Sequence, residues 1–183
     1  MKIYTRTGDG GETLLPGGRR VSKASLIIDA VGNLDELNSF IGYIVSHSNY
    51  PSVNKTLLTI QNTLFEIGSE IAQDPKNKNM VKKFKLGKSK VTFLEKQIDL
   101  LDKKLPTLKY FILPGGSPVS ASFHLSRAIS RRVERSVVLL DEVDSVNPNI
   151  IMYLNRLSDL LFVFARYTNI LDGNTDVIWK SKA

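Results

Sequence analysis

The sequence predicts an all-α protein, a five-helix up-and-down bundle. Apolar residues recur at alternating steps of three and four over five segments, which is the spacing of one helix face. Short links that carry proline or glycine separate these segments. The 183 residues suffice for a sizeable core and show no repeat or domain boundary. We therefore expect one domain over 1–183, with an N-terminal segment over 1–31, a helix bundle over 32–172 and a tail over 173–183.

The first two helices follow from the apolar spacing. The spaced residues of the first are Leu34, Leu37, Ile41 and Ile44. Asn33, just before them, is a candidate N-cap because its side chain can accept a hydrogen bond from the first turn. The second helix repeats the pattern from Val53 to Ile71, and Asp74-Pro75 ends it. The glycine-rich first thirty residues are predicted to be irregular.

The third helix carries apolar residues from Val91 to Leu105 and is predicted to stop at Pro106. A short extended segment over 110–116 follows. Next comes Ser117-Pro118, a capping hydroxyl followed by proline at the first helical position. The fourth helix starts there and runs to about Leu140.

The fifth helix begins near Pro148 and ends at Asp172-Gly173, where glycine can supply a left-handed cap. Five long amphipathic helices of this kind favour a bundle. Only the ends of the chain are left to hold strands.

Composition favours an ordinary globular enzyme of the cytoplasm. Hydrophobic residues make up 42% and charged residues 23% of the chain. No apolar run approaches the roughly 20 residues that span a bilayer, and the N-terminus turns polar too soon for a secretory signal. The chain has no cysteine, which excludes disulfides, thiolate metal sites and cysteine nucleophiles.

The net charge of +7 is concentrated in one stretch. Seven lysines and no acidic residue lie between Lys76 and Lys90, and the rest of the chain is balanced. A site for single-stranded nucleic acid would require aromatic side chains between the lysines, and few are present. We expect a solvated loop here, with neither a nucleic-acid nor a membrane partner.

Arginine is segregated from lysine in the second half of the chain. Residues 110–179 contain no lysine but hold six of the nine arginines: Arg127, Arg131, Arg132, Arg135, Arg156 and Arg166. A solvated helix face would accept lysine equally well. A preference for the planar guanidinium suggests bidentate pairing with phosphate or carboxylate.

Helical geometry groups these arginines into two polar stripes. On the fourth helix Arg127, Arg131 and Glu134 share a narrow sector. The opposite side is expected to carry Leu125, Ile129, Val133, Val137 and Leu140. On the fifth helix a second polar stripe holds Asn155, Asp159 and Arg166. Three interpretations stay open: a salt-bridge network between helices or subunits, a phosphate-binding surface, or solvated faces.

Other chemical signals are weaker. The segment from Thr5 to Thr13 is rich in glycine and threonine, so it could hold an anion or form turns. It fits neither a dinucleotide-binding fingerprint nor a Walker A loop. The only histidines, His47 and His124, are too few for a zinc site and are expected to be packed or surface residues.

Four blocks of sequence, in this order, resemble the PduO-type ATP:cob(I)alamin adenosyltransferases. The resemblance runs from Ile3 to about Asn169. The blocks are Ile3-Tyr4-Thr5-Arg6-Thr7-Gly8-Asp9, Gly32-Asn33-Leu34-Asp35-Glu36-Leu37-Asn38-Ser39, Phe111-Ile112-Leu113-Pro114-Gly115-Gly116, and Arg127-x-x-x-Arg131-Arg132-x-Glu134-Arg135 joined with Asn155-Arg156-Leu157-Ser158-Asp159.

The resemblance implies a ferritin-like five-helix bundle that assembles as a homotrimer and binds ATP, with Mg²⁺ held mainly through its phosphates, between neighbouring subunits. It implies that the N-terminal segment lines the ATP site through Thr5, Arg6, Thr7, Gly8, Thr13, Leu14 and Lys23. The helices would complete the site with Arg131, Arg132, Val133, Glu134, Arg135 and Asn155. Asp35 and Arg127 would form an inter-subunit salt bridge, and Phe111 would lie beside the corrin ring and help to displace the lower axial ligand.

The implied reaction is transfer of the 5′-deoxyadenosyl group of ATP to the cobalt of cob(I)alamin, with triphosphate as the leaving group. Arg131, Asp35, Arg127 and Phe111 are the residues on which catalysis would depend most. A cobalamin reductase or an adenosylcobalamin-dependent acceptor enzyme would be a protein partner.

Gly10, Ile27 and Val31 depart from the family pattern. The alternative function is a non-catalytic nucleotide-binding or scaffold bundle. For Phe111, plain core packing is the alternative role.

Overall fold

The computed structural model describes residues 3–4, 6–16, 18–73 and 85–180. These residues form a short antiparallel hairpin and five helices, as predicted for an all-α bundle. The elements are β1 (Glu12–Leu14), β2 (Arg20–Ser22), α1 (Leu26–His47), α2 (Pro51–Ile71), α3 (Lys88–Asp102), α4 (Pro118–Asp141) and α5 (Pro148–Leu171). Within the described residues, none of the helices is long and apolar enough to cross a membrane.

The helices pack around one core. Helix α4 lies between α1 and α5, while α2 packs on α1 and α3 packs on α5. Lys90 on α3 reaches Glu66 on α2 at 2.9 Å, which closes the ring of helices. Leu37 of α1, Leu94 of α3 and Leu157 of α5 are completely buried in this core, as the spacing predicted. Each such side chain stabilises the fold by about 1.5–3 kcal/mol relative to an exposed position.

The start of α1 differs from the prediction. The helix begins at Leu26 with Ser25 at the N-cap, so it starts before the expected boundary at residue 32. Asn33 lies inside the helix, where its amide donates to the backbone oxygen of Asp29 at 2.9 Å. The apolar residues over 26–31 extend the core-facing stripe backwards, and their burial outweighs the capping preference of asparagine.

The other predicted helix boundaries largely hold. The Ser117 hydroxyl accepts from the Ser120 N–H at 3.2 Å, and Asn147 caps α5 in the same way. Gly173, just beyond α5, has a φ of +74°, which is the expected left-handed conformation. Helix α3 ends at Asp102, earlier than the predicted stop at Pro106. Most of the lysine run and Asp74-Pro75 lie outside the described residues, and Lys88 and Lys90 belong to the first turn of α3.

The prediction that Leu125 lies on the buried apolar face of α4 is wrong. Leu125 is 51% exposed, whereas Phe123, Ser126 and Ser130 are completely buried. The buried face is centred near Ser126, and Leu125 lies one residue before it, about 100° around the helix. Small serines fit there because α4 approaches its neighbours closely: the Ser130 hydroxyl donates to the Leu154 carbonyl at 3.4 Å.

Candidate active site

Three of the six arginines in the second half of the chain have carboxylate partners. Arg132 pairs with Glu36 of α1. Arg156 pairs with Glu95 of α3 at 3.3 Å and with Asp159 at 3.4 Å. Arg166 was predicted to lie in a polar stripe, but it is 4% exposed and bonds to Asp176 at 2.7 Å. For these three arginines the salt-bridge interpretation is correct.

The other three arginines, Arg127, Arg131 and Arg135, have no ion-pair or hydrogen-bond partner within the part of the chain that the structure describes. Arg131 and Arg135 are exposed and lie one helical turn apart on α4. Two free guanidinium groups at this spacing can bind one polyanion together, because each offers a fork of N–H donors.

Arg131 and Arg135 form the arginine surface of α4. Asn155 on α5 borders this surface and is held in a fixed orientation. Its amide nitrogen donates to Glu134 of α4 at 3.0 Å, and its amide oxygen accepts from Arg156 at 2.7 Å. Through Arg156 the network reaches α3, so three helices fix the position of this amide. Val133, predicted as an ATP contact, is completely buried, and its side chain belongs to the core.

Arg127 carries a buried N–H group that lacks an acceptor. Its Nε is inaccessible to solvent and has no hydrogen-bond partner in the described chain, and the same is true of Nδ1 of His124, one turn earlier. Burial lowers the pKa of His124, and the nearby charge of Arg127 lowers it further, against an opposing effect of Asp176. The imidazole is therefore neutral near pH 7. A buried donor without an acceptor costs about 1–3 kcal/mol, which favours an acceptor from outside the chain for Arg127.

The N-terminal segment folds into the β1–β2 hairpin and brings Lys23 to the Gly8 turn. The Gly11 N–H donates to the Gly8 carbonyl at 3.2 Å, and the Lys23 N–H donates to the Gly11 carbonyl at 2.8 Å. A Cβ on Gly8 would lie 3.2 Å from Lys23 Nζ, so the amine lies close against this turn. Arg6 has a φ of +60° and stacks its guanidinium on the Tyr4 ring. Thr5 lies outside the described residues.

The hairpin borders α1 and α2 at a cavity. This cavity has a volume of about 480 Å³ and is lined by residues that include Thr13, Leu14 and Asp35. None of the lining residues belongs to α4 or α5. Among the described residues of one subunit, Asp35, Gly8 and Lys23 are not joined by a hydrogen bond or an ion pair to Arg127, Arg131 or Arg135.

Phe111 is 80% exposed, so the core-packing alternative for this residue is wrong. The loop over 111–116, called the Phe111 loop below, is nevertheless fixed through the backbone. The Trp179 N–H donates to the Phe111 carbonyl and the Leu113 N–H donates to the Val177 carbonyl, both at 2.8 Å. An exposed aromatic ring on a fixed backbone is a preorganised contact surface.

The comparisons with known proteins decide the family. The profile of the cobalamin adenosyltransferase family matches residues 3–168. The chain belongs to this family. It is 42% identical to the corrinoid adenosyltransferase of Bacillus subtilis over all of its own length and 94% of that protein. It is 43% identical to the cobalamin adenosyltransferase of Cupriavidus metallidurans over 98% of its length and 94% of the relative.

Solved structures agree with this assignment. A PduO-type ATP:corrinoid adenosyltransferase from Lactobacillus reuteri, in a phenylalanine-to-alanine variant complexed with cobalamin and ATP, superposes with a TM-score of 0.93. It shares 34% identity with the present adenosyltransferase and covers 98% of this chain and 100% of its own.

Sequence reasoning missed the residues that support the Phe111 loop of the adenosyltransferase. Asn169 is 2% exposed, and its Oδ1 accepts from the Ser117 N–H at 3.1 Å. It lies so close to Gly116 that a Cβ there would meet Oδ1 at 2.1 Å. Gly115 and Gly116 belong to the sequence block that resembles the family, but nothing in the local sequence around Asn169 indicates this role.

Replacement of Gly116 by alanine should destabilise the adenosyltransferase by about 1–3 kcal/mol. Its φ of +102° disfavours a side chain, and the new methyl group would clash with Asn169. Gly115 is the matched control, since a Cβ there meets nothing within 4 Å. Urea unfolding of both variants measures the difference. A Gly116→Ala midpoint equal to that of Gly115→Ala would show that the loop is not fixed as described.

Proposed function

We propose that this adenosyltransferase moves the 5′-deoxyadenosyl group of ATP to the cobalt of cob(I)alamin at a site shared by two subunits of a homotrimer. One observation carries the proposal of a shared site: within the described residues, Arg127, Arg131 and Arg135 have no hydrogen-bond or ion-pair partner, and none of them is bonded to Asp35 or Lys23 of the same subunit. A neighbouring copy can supply what each half lacks.

The triphosphate of ATP is the natural partner for Arg131 and Arg135. Both side chains are exposed, carry permanent charge and lie one turn apart. Glu134 and Asn155 would face the ribose or base from the same surface, because their mutual hydrogen bond fixes them beside the arginines. The N-terminal segment of the neighbouring subunit would add Arg6, Thr7, Gly8, Thr13, Leu14 and Lys23, and Thr5 completes the predicted set.

Trimer formation would give Asp35 and Arg127 the partners that they lack within the described residues of one subunit. Asp35 has no partner in the described chain, and Arg127 holds a buried Nε without an acceptor. A carboxylate from one subunit and a guanidinium from the next form a charge-assisted pair. Phe65 and Leu14, 68% and 61% exposed at the cavity beside Asp35, would be buried by the same contact.

In the proposed reaction cobalt(I) attacks the 5′ carbon of ATP. The cobalt electron pair forms the Co–C bond, the C–O bond breaks, and triphosphate leaves with the bonding pair. The substrate supplies the nucleophile, so the protein has to orient ATP and stabilise the charge that develops on triphosphate. Arg131, Arg135 and the Lys23 amine of the neighbouring subunit would do this.

Mg²⁺ would accompany ATP in this site and neutralise part of the phosphate charge. Among the described residues no group of three or more His, Cys, Asp or Glu side chains could hold a metal ion, so the phosphates themselves would be its main ligands. A reductase would have to supply cob(I)alamin, and an adenosylcobalamin-dependent enzyme would accept the product. A cytoplasmic location fits the use of ATP and of a strongly reduced substrate.

The activity itself is tested by mixing the protein with ATP, Mg²⁺ and chemically reduced cobalamin. We expect the light-sensitive absorption spectrum of adenosylcobalamin to appear, with one triphosphate released per turnover. Binding of ATP with no new spectrum would favour a nucleotide-binding scaffold instead.

The Arg131→Ala variant should lose most of its turnover. Removal of a contact to the leaving triphosphate should raise the activation free energy by about 2–4 kcal/mol. Helical content should not change, since Arg131 is exposed. Lys55→Ala, which removes an exposed charge from α2, is the control and should turn over normally. Steady-state kinetics and circular dichroism measure both quantities. A fully active Arg131→Ala enzyme is incompatible with this assignment.

Light scattering should give a mass about three times 20.4 kDa. Asp35→Arg and Arg127→Asp should each weaken the trimer by placing like charges opposite each other. The double charge reversal should restore assembly, because it recreates the pair with its signs exchanged. A wild-type monomer with full activity would rule out the shared site.

Phe111→Ala should bind ATP normally and remain a trimer, yet lose turnover with cobalamin. If the exposed ring crowds out the lower axial base, the loss should be much smaller with cobinamide, which lacks the attached base. Parallel rates with the two corrinoids provide the measurement. Equal losses would remove Phe111 from any role in displacing the base.

A further inference from the structure

We infer that the C-terminal segment 174–179 is a strap that positions Phe111, and that the Arg166–Asp176 ion pair is its latch. This inference rests on the proposed function, because it assigns the strap to the corrinoid side of that site. Arg166 and Asp176 would act as positioning residues, since neither lies in the predicted ATP or corrinoid contact set.

The latch joins three separate parts of the chain. Arg166 on α5 is 4% exposed, and its Nε donates to the Asp176 carboxylate at 2.7 Å. Its Nη2 donates to the Pro106 carbonyl at 2.8 Å, in the segment that leads to the Phe111 loop. A buried guanidinium is costly unless it is paired and hydrogen-bonded. Through these two contacts, Arg166 holds both the strap and Pro106 against the C-terminal part of α5.

The strap reaches the Phe111 loop through the backbone. Gly173 reverses the chain after α5 with a φ of +74°, and the Asn174 N–H donates to the Asn169 carbonyl at 2.9 Å. Ile112 and Ile178 then form an antiparallel bridge. Its two hydrogen bonds join Val177 to Leu113 and Trp179 to Phe111, both at 2.8 Å.

Apolar burial does not hold the strap in place. Val177, Ile178 and Trp179 are 58%, 48% and 50% exposed, so their side chains contribute little packing energy. Asp176, whose side chain is 16% exposed, is the best-buried polar anchor of the segment. Loss of its charge should therefore loosen the strap, whereas loss of an exposed ion pair elsewhere should not.

The far side of the loop is fixed independently. Asn169 accepts from the Ser117 N–H at 3.1 Å and leaves no room for a side chain at Gly116. The strap is thus the second of two supports, and it acts nearest to Phe111. With both supports in place, an aromatic ring that is 80% exposed can keep one position.

The test is a double-mutant cycle with two corrinoids. Asp176→Asn should lower turnover with cobalamin roughly tenfold, because small displacements of a positioning group are costly, and leave the KM for ATP within about twofold. The loss with cobinamide should be small. In the Phe111→Ala background, Asp176→Asn should add little, since the group it positions is already gone. Asp176→Glu should recover most of the rate, and Glu66→Gln, in the exposed pair with Lys90, is the control and should match the wild type.

A second variant covers the case in which Asp176→Asn folds poorly. Trp179→Pro removes the N–H that donates to Phe111 and leaves the ion pair intact, while Trp179→Phe keeps that N–H. Trp179→Pro should reproduce the loss that is selective for cobalamin, and Trp179→Phe should not. Equal losses with both corrinoids, or additive losses in the Phe111→Ala background, would overturn the strap. A wild-type enzyme that forms no adenosylcobalamin would instead refute the proposed function.

Discussion

A guanidinium group keeps its charge at any ordinary pH, so every arginine of the bundle requires an anion, a carbonyl or water as its partner. Arg132, Arg156 and Arg166 find carboxylates within the chain and tie helices and the C-terminal segment together. Arg131 and Arg135 find none in the described residues and face solvent from one side of α4. The paired arginines stabilise the scaffold, and the unpaired ones are where we propose that the triphosphate binds.

In the proposed trimer, two subunits contribute to each active site. Asp35 on α1 lines the hairpin cavity, whereas the arginines of the proposed triphosphate site lie on α4, which packs against α1. Rearranging one subunit to join these surfaces would disrupt a core in which Leu37 and Ile41 of α1 are completely buried. In the proposed trimer, a second copy would bring the two surfaces together without that cost. Symmetric assembly would then repeat the same site at each interface.

Local sequence signals predicted the fold well, and long-range contacts could not be predicted. Ser117 caps α4 as expected because a cap depends only on neighbouring residues. Asn33 failed as a cap since the apolar residues before it gain more from burial as a further helical turn. The identities of the site residues came from the family resemblance. The pairing of Arg166 with Asp176 and the backbone bridge between Ile112 and Ile178 depend on where the chain reverses after α5, and the spacing of apolar residues does not show this.

Subunit complementation tests the shared site most directly. Arg131→Ala damages the α4 half and Lys23→Ala damages the N-terminal half, so each variant alone should be nearly inactive in the synthesis of adenosylcobalamin. Refolding them together in equal amounts should restore about a quarter of wild-type turnover, because each mixed cyclic trimer contains one interface with both halves intact. A mixture that is no more active than its parents, although mixed trimers have formed, would contradict a site built from two subunits.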